Sequence, residues 1–426
     1  MLRENQRHFK FDWITIILFL LLLAFGYLNI LSASHVGEIT SYFDTSQLYG
    51  KHLIFIGLTF LLIVIILSLE AKFYEQFASI IYIIAMLSLI GLFIFGKDVN
   101  GARSWYGIGS MTIQPSEFAK FATALAVARY ISDLQTNMTT IKDQLKVAPI
   151  ILIPAILILL QNDAGSTIVY LAFFFVFYRE GLQQVYLIIA LSLIVLAVLA
   201  LKFGIIITAI VATIILTSLY FIRKKKRGSI IQYIVILLVS LAFSYGVKLF
   251  YEHGLKAHQQ NRISLWLRLE KDPAKLERMK KAEAYNLIQS EQAISSGGFS
   301  GKGFLQGTRT TGKFVPEQHT DYIFSTVGEE WGFLGTSFVV IIFVLLILRV
   351  LYLAEGQKSQ FSRVYGYGVA SILFVHFTIN IGMVMGLIPT VGIPLPFFSY
   401  GGSGLWGFTI LLFIFVKLDS NKINEW

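Results

Sequence analysis

Glu117 and Lys120 stand three residues apart in Gln114-Pro115-Ser116-Glu117-Phe118-Ala119-Lys120, inside an otherwise apolar run. That spacing puts both on one face of a helix, and Pro115 with Ser116 suits a helix start. An ionisable group in such a run is costly, which makes it a functional candidate by default. Two readings are open. The pair could be an internal ion pair holding helices together, or it could line a polar cavity that receives an anionic ligand, with Lys120 on a phosphate or diphosphate and Glu117 holding it. Just before it, Asn100-Gly101-Ala102-Arg103-Ser104-Trp105-Tyr106-Gly107 offers Arg103 beside Trp105, as interfacial anchors or as ligand contacts. Asp163, in Gln161-Asn162-Asp163-Ala164-Gly165, can cap the next helix or add a carboxylate to the same cavity. Asp321, in His319-Thr320-Asp321-Tyr322-Ile323-Phe324, sits at the seam of a long polar stretch and an apolar run. A carboxylate there is wet on one side and partly desolvated on the other, a setting for a general base; a lone Asp before an apolar run is also a common N-cap. Glu329 and Glu330 follow deeper in that run, and at least one must meet a polar interior or a partner.

The elements that must position these groups are membrane helices. Of 426 residues, 56% are hydrophobic and 14% charged, with mean hydropathy +0.69, against about 45–50% and 25% in an average soluble domain. An ordinary soluble enzyme is excluded. With no cysteine, so are a disulfide framework, a thiolate metal site and a Cys nucleophile. Apolar stretches long enough to cross a hydrocarbon core of roughly 30 Å predict an all-α polytopic protein with about twelve spans, over 14–33, 52–69, 77–96, 115–132, 147–161, 164–178, 185–201, 204–222, 229–249, 321–348, 365–388 and 399–416. Separating the seventh from the eighth requires a tight turn at Lys202, Phe203 and Gly204.

The net charge of +10 is largely topological. Arg3, Arg7, Lys10, Lys142, Lys146, Arg179, the run Arg223 to Arg227, Arg349, Lys358, Arg363, Lys417 and Lys422 all fall on one side when spans are counted. By the positive-inside rule that side is cytoplasmic, as are both termini. Parity requires the first segment to be an uncleaved span rather than a secretory signal. One integral-membrane domain, 1–426, then carries a single large extracytoplasmic loop over 250–320, in which Leu265, Trp266, Leu267 and Leu269 form an apolar cluster suited to the membrane surface and Lys275 to Lys281 a solvated basic face. The Pro- and Gly-rich stretch from Gly386 to Pro396, followed by Ser399-Tyr400-Gly401-Gly402-Ser403-Gly404, predicts a re-entrant segment walling the cavity, because irregular backbone at membrane depth must line a cavity or be covered by protein.

Five ordered stretches, Asn100 to Lys120, Gln161 to Gly165, Ala293-Ile294-Ser295-Ser296-Gly297-Gly298-Phe299-Ser300-Gly301-Lys302-Gly303, Pro316 to Gly332 and Asn380 to Gly402, resemble the SEDS family (shape, elongation, division, sporulation). His319 to Phe324 and Asn380-Ile381-Gly382-Met383-Val384 with Gly392-Ile393-Pro394-Leu395-Pro396 are similar to its elongation branch, RodA, more than to its division branch, FtsW. The resemblance implies a peptidoglycan glycosyltransferase of the bacterial cytoplasmic membrane that polymerises lipid II outside the cell during elongation. It implies that Asp321 is the essential catalytic carboxylate and that Trp105, Glu117, Lys120 and Asp163 are the family's other cavity positions, expected to bind substrate; Arg103 and His319 are further substrate-binding candidates. On this reading Asp321 deprotonates the acceptor 4-hydroxyl, while Lys120 and Arg103 hold the undecaprenyl diphosphate that leaves. No protein-held metal is expected, although a divalent cation, Mg or Mn, could bridge carboxylate and diphosphate. Expected partners are lipid II, the nascent glycan strand, a class B penicillin-binding protein and other elongation-complex membrane proteins; nucleic acid is not one. The family has ten spans, so the surplus between about 185 and 249 reads as an extra pair, and Lys271 to Met279 departs from the family's loop. A lipid II flippase and a noncatalytic scaffold are the rival readings.

Overall fold

The computed structural model describes residues 10–35, 41–99, 101–109, 111–133, 136–222, 229–282 and 284–422. Arg3, Arg7, Asn100 and the basic run Arg223 to Arg227 lie outside the described residues. The apolar runs form helices: α1 (Trp13–Ser34), α2 (Leu48–Ser68) and α3 (Ala71–Phe95) lead into a small antiparallel sheet of β1 (Lys97–Val99), β2 (Ala102–Ile108) and β3 (Met111–Ile113). Then come α4 (Pro115–Ile131), α5 (Ile141–Leu160), and α6 (Ala164–Ile168), which passes through a 3-10 turn into α7 (Phe173–Arg179). After α8 (Gln184–Ile222) and α9 (Ile230–Leu249), the long loop folds as α10 (Ala257–Leu267), α11 (Pro273–Lys281), α12 (Tyr285–Gly297) and α13 (Thr308–Thr311). The chain closes with α14 (Ile323–Glu355), α15 (Gln360–Val384) and α16 (Gly402–Asn421).

Among the described residues nine helices are long and apolar enough to cross a membrane: α1, α2, α3, α5, α8, α9, α14, α15 and α16. The chain is a multi-pass membrane protein. The number differs from twelve for physical reasons. Helix α4 has only 17 residues and carries charge, the apolar helix Ala164–Arg179 is short, and the expected seventh and eighth spans are one 39-residue element. That element is not straight. Gly204 has φ 81 and ψ 168, a conformation glycine alone adopts readily, so the break falls where the sequence places a turn. An unbroken 39-residue helix would run roughly 58 Å.

The chain divides into two compact units, one of Met1–Leu182, Gln289–Met385 and Val391–Trp426, the other of Gln183–Ile288 and Gly386–Thr390. In the first, α4 is the central helix. Ala119, Ala122, Ala124, Ala126 and Ala128 are buried, and these small side chains let α3, α15 and α16 pack closely on it, as interfaces between membrane helices favour. Helix α14 packs on α1 and α15; its Arg349 meets Asp12, the cap of α1, whose carboxylate accepts the Thr15 N–H at 2.9 Å. Helix α14 breaks at Gly332 (φ 61, ψ −154). A Cβ there would come within 2.3 Å of the Gly301 nitrogen, because the glycine-rich 297–303 stretch lies directly on the break: the Phe333 N–H donates to the Gly298 carbonyl at 2.9 Å and the Lys302 N–H to the Glu329 carbonyl at 3.1 Å. Glu329 and Glu330 therefore close a short helical segment before the long apolar one.

In the second unit α8 packs on α9. Among their described side chains only Ala200, Thr208, Ala212 and Ser244 are buried. A helix pair apolar on every face belongs in lipid. Helix α10 holds the 386–390 segment: the Trp266 indole donates to the Leu387 carbonyl at 3.0 Å and Arg262 to that of Thr390 at 3.2 Å.

Candidate active site

The polar groups of the first unit converge on a cavity of about 520 Å³. Four carboxylates line it, from Glu117, Asp163, Glu317 and Asp321, and no described lysine, arginine or histidine does. Glu117 arrives on α4, Asp163 at the start of α6, and Glu317 and Asp321 together on the turn that leads into α14. The sheet carries Trp105 into the wall, stapled by the Tyr106 hydroxyl, which donates to the Ser88 carbonyl of α3 at 2.7 Å. Asp163 caps α6: Oδ1 accepts the Ser166 N–H at 3.0 Å, and Oδ2 accepts the Ser166 hydroxyl at 2.8 Å and the Gln114 amide at 3.0 Å. It is cap and cavity carboxylate at once.

Glu117 faces the cavity and Lys120 lies behind it. The ammonium is 2.8 Å from Glu117 Oε2, with both side chains 3% exposed. It is also 3.0 Å from His376 Nε2 and 4.4 Å from the centre of the Phe408 ring. Lys120 is thus enclosed by a carboxylate, an imidazole and an aromatic face, and it is not among the residues that line the cavity.

The backbone around Asp321 is tied down from several sides. Its carbonyl accepts the Asn380 amide at 2.8 Å, and the same amide donates to the Ile393 carbonyl at 2.7 Å. The preceding residues are tied to the irregular 391–401 segment: the Tyr400 N–H donates to the His319 carbonyl at 2.9 Å, and the Ser399 hydroxyl to that of Thr320 at 2.6 Å. Gly392 (φ +78) completes the cradle, since a Cβ on it would stand 3.1 Å from Asp321 Oδ2.

Trp105, Glu117, Asp163 and Asp321 are therefore brought together, and Lys120 is within one side chain of them. Arg103 is not among the lining residues. Its guanidinium donates to the carbonyls of Gly96 at 3.1 Å and Ile94 at 3.3 Å, satisfying the C-terminal end of α3, because free helix carbonyls there attract a cation. His319 packs edge-on against Tyr400 with ring centres 5.5 Å apart. Burial lowers its pKa against the opposing carboxylate of Glu317, which leaves a neutral ring at pH 7. Glu329 and Glu330 both find polar surroundings. Glu329 accepts Lys302 at 2.6 Å and the Thr310 N–H at 2.8 Å, and Glu330 meets the Ser32 hydroxyl. Sequence reasoning passed over Gln114, His376, Asn380 and Tyr400 as individual groups. For His376 and Asn380 the signal was available, since both are polar residues inside an apolar span.

A helical membrane bundle with a carboxylate-lined cavity, walled by a small sheet and an irregular segment, is the class of protein this chain represents. A family model described as cell cycle protein, covering FtsW, RodA and SpoVE, matches residues 12–207 and 198–424. The peptidoglycan glycosyltransferase RodA of Treponema pallidum is 31% identical over 97% of this chain and 98% of its own. The peptidoglycan glycosyltransferase MrdB of Escherichia coli is 32% identical over 82% and 80%. A chain of a solved peptidoglycan synthase complex, reported for its structural coordination of polymerization and crosslinking, superposes with TM-score 0.71 at 23% identity, over 97% of this chain and 99% of that one. The chain belongs to the FtsW, RodA and SpoVE family, the SEDS family, and is RodA-like within it.

Proposed function

We propose that this protein is a peptidoglycan glycosyltransferase that polymerises lipid II on the outer face of the bacterial cytoplasmic membrane, with both termini cytoplasmic. The observation that carries the reading is Asp321, held by Asn380 and Gly392 in the wall of a cavity large enough for a sugar headgroup. Two apolar grooves meet at Phe118, next to Glu117: one of about 370 Å³ lies along α3 and α4, the other of about 250 Å³ is lined from α2, α4 and α16. Both grooves offer apolar surfaces suited to prenyl tails, and Phe118, which they share, follows the cavity residue Glu117 in sequence.

Asp321 takes the proton of the acceptor 4-hydroxyl. The freed oxygen attacks the anomeric carbon of the growing strand, the bond from that carbon to the diphosphate oxygen breaks, and undecaprenyl diphosphate leaves with the electron pair. A positioned base supplies typically about 10²–10⁴-fold; the rest comes from holding the reactants in line. Trp105 offers a face for a sugar ring, and Asp163 and Glu117 accept hydroxyl hydrogen bonds. With Lys120 enclosed and Arg103 on the end of α3, no described lysine, arginine or histidine lines the cavity to meet the diphosphate charge. A wall of carboxylates fits a divalent cation carried in with the diphosphate and held by one or two of them, with Asp321 and Glu117 the candidates; such an ion would neutralise the leaving group. Among the described residues no cluster of three His, Asp or Glu forms a resident cage. A class B penicillin-binding protein and other elongation-complex membrane proteins are the proposed partners.

The test is lipid II polymerisation by purified protein in liposomes, with and without that partner and with and without EDTA, comparing wild type with folded Asp321→Asn and Asp321→Ala. Strands from wild type alone support the assignment, and EDTA sensitivity supports the cation. Equal polymerisation by the variants removes Asp321 as base. No product from any sample, with an active partner present, favours a flippase or a scaffold.

A further inference from the structure

His376 is a histidine that the chemistry above does not use, and its surroundings define what it does. It lies in α15, 1% exposed, 256 residues from Lys120 and 18 from Pro394 in sequence. Nε2 is 3.0 Å from the Lys120 ammonium and Nδ1 is 3.3 Å from the Pro394 carbonyl. The ring stands edge-on to Phe408 with centres 4.7 Å apart, so it cannot swing away without displacing the aromatic that also covers Lys120.

The hydrogen-bond chemistry selects one form of the ring. An ammonium has only hydrogens to give, so Nε2 must accept; a carbonyl only accepts, so Nδ1 must carry the hydrogen. The neutral Nδ1–H tautomer satisfies both contacts. A cationic imidazole would set two positive groups 3.0 Å apart.

The two contacts lead to two separate parts of the cavity lining. Through Lys120 the ring fixes Glu117, which the ammonium holds at 2.8 Å. Through Pro394 it fixes the irregular segment whose Gly392 lies against Asp321 and whose Ile393 shares the Asn380 amide with Asp321. We propose that neutral His376 is a positioning residue that sets the distance between the Glu117 wall and the Asp321 wall, and with it the alignment of acceptor and donor. This rests on the glycosyltransferase reading for its catalytic consequence and on geometry alone for its tautomer.

Two measurements on the full-length protein in lipid separate these. Nitrogen-15 spectra of histidine-labelled protein, with the His376 signals assigned by their loss in His376→Gln, are expected to show a protonated Nδ1 and an unprotonated Nε2 that shifts in Lys120→Met. An Nε2–H tautomer or a cationic ring overturns the proposal whether or not the protein is an enzyme. In polymerisation, His376→Phe keeps a ring of similar size and loses both polar contacts; kcat is expected to fall about 10²-fold, as misplacement by about 1 Å can cost, with KM for lipid II within about 3-fold. His376→Gln, whose Oε1 can reach the Lys120 ammonium, is expected to recover to within about 10-fold of wild type. A folded Phe variant with wild-type kcat, or Gln and Phe variants equally impaired, overturns the positioning role. If wild type makes no glycan, the lipid II reading fails and the spectrum alone decides the tautomer and contacts.

Discussion

Replacing Lys120 with Met is expected to destabilise the protein by about 3–5 kcal/mol, the range for removing one partner of a buried pair. Met keeps an unbranched stem of similar length and removes the ammonium that faces Glu117, His376 and Phe408. At 2.8 Å and an effective dielectric near 20, the attraction to Glu117 is about 6 kcal/mol. Desolvation of both groups offsets much of that while the pair is intact; once Lys120 is gone, Glu117 remains buried without its counter-charge. His376 Nε2 loses its donor as well, which adds roughly 1 kcal/mol. The double variant Glu117→Gln with Lys120→Met removes both charges and should cost about 2 kcal/mol less than the sum of the single variants, within the coupling range of contacting residues. Chemical unfolding in mixed micelles, read by far-UV circular dichroism, measures all three. The double variant should lose less stability than the two single losses combined, yet be impaired in polymerisation, because the cavity has lost a carboxylate. A loss below about 1 kcal/mol for Lys120→Met, or strict additivity in the cycle, would refute the enclosed-pair argument.

Gly392→Ala should lower kcat at least about 10-fold with modest loss of stability: its φ of +78 is costly for alanine by roughly 1–2 kcal/mol, and the new Cβ would stand 3.1 Å from Asp321 Oδ2; polymerisation beside thermal unfolding reports both. Asn380→Leu leaves the Asp321 and Ile393 carbonyls without their shared donor, costing about 2–4 kcal/mol and reducing kcat more than it raises KM; unchanged kcat in a folded variant would count against backbone positioning of Asp321. Arg103→Ala removes only contacts to the end of α3, so stability should change by under about 1 kcal/mol and KM for lipid II by under about 3-fold. A rise in KM beyond about 10-fold would return Arg103 to the diphosphate site.

Local rules account for what could be read before any tertiary contact was known. The run lengths of α1, α2 and α3 meet the thickness requirement for a span, Asp163 caps α6 through the Ser166 N–H, and Gly204 breaks α8. Each needs only residues within a turn or two. The small sheet was not legible, because β1 and β3 have three residues each, too short for a period-two pattern. The contacts of Arg103 with the end of α3 were not legible either, because its partners, Gly96 and Ile94, offer backbone carbonyls, and carbonyls leave no trace in residue identity.

The sequence by itself determined that the chain is helical and membrane-embedded, that Glu117 and Lys120 share a face, and that a carboxylate stands at residue 321. Hydropathy, helical period and capping are properties of neighbours along the chain. Tertiary structure alone decided which way those groups work. Burial of α4 among α3, α15 and α16 turned Lys120 inward to His376, 256 residues away in sequence, and the backbone of 391–401 closed on Asp321 from the other side. A buried ammonium must find acceptors wherever packing places them, and packing is settled by the whole set of helices rather than by any one.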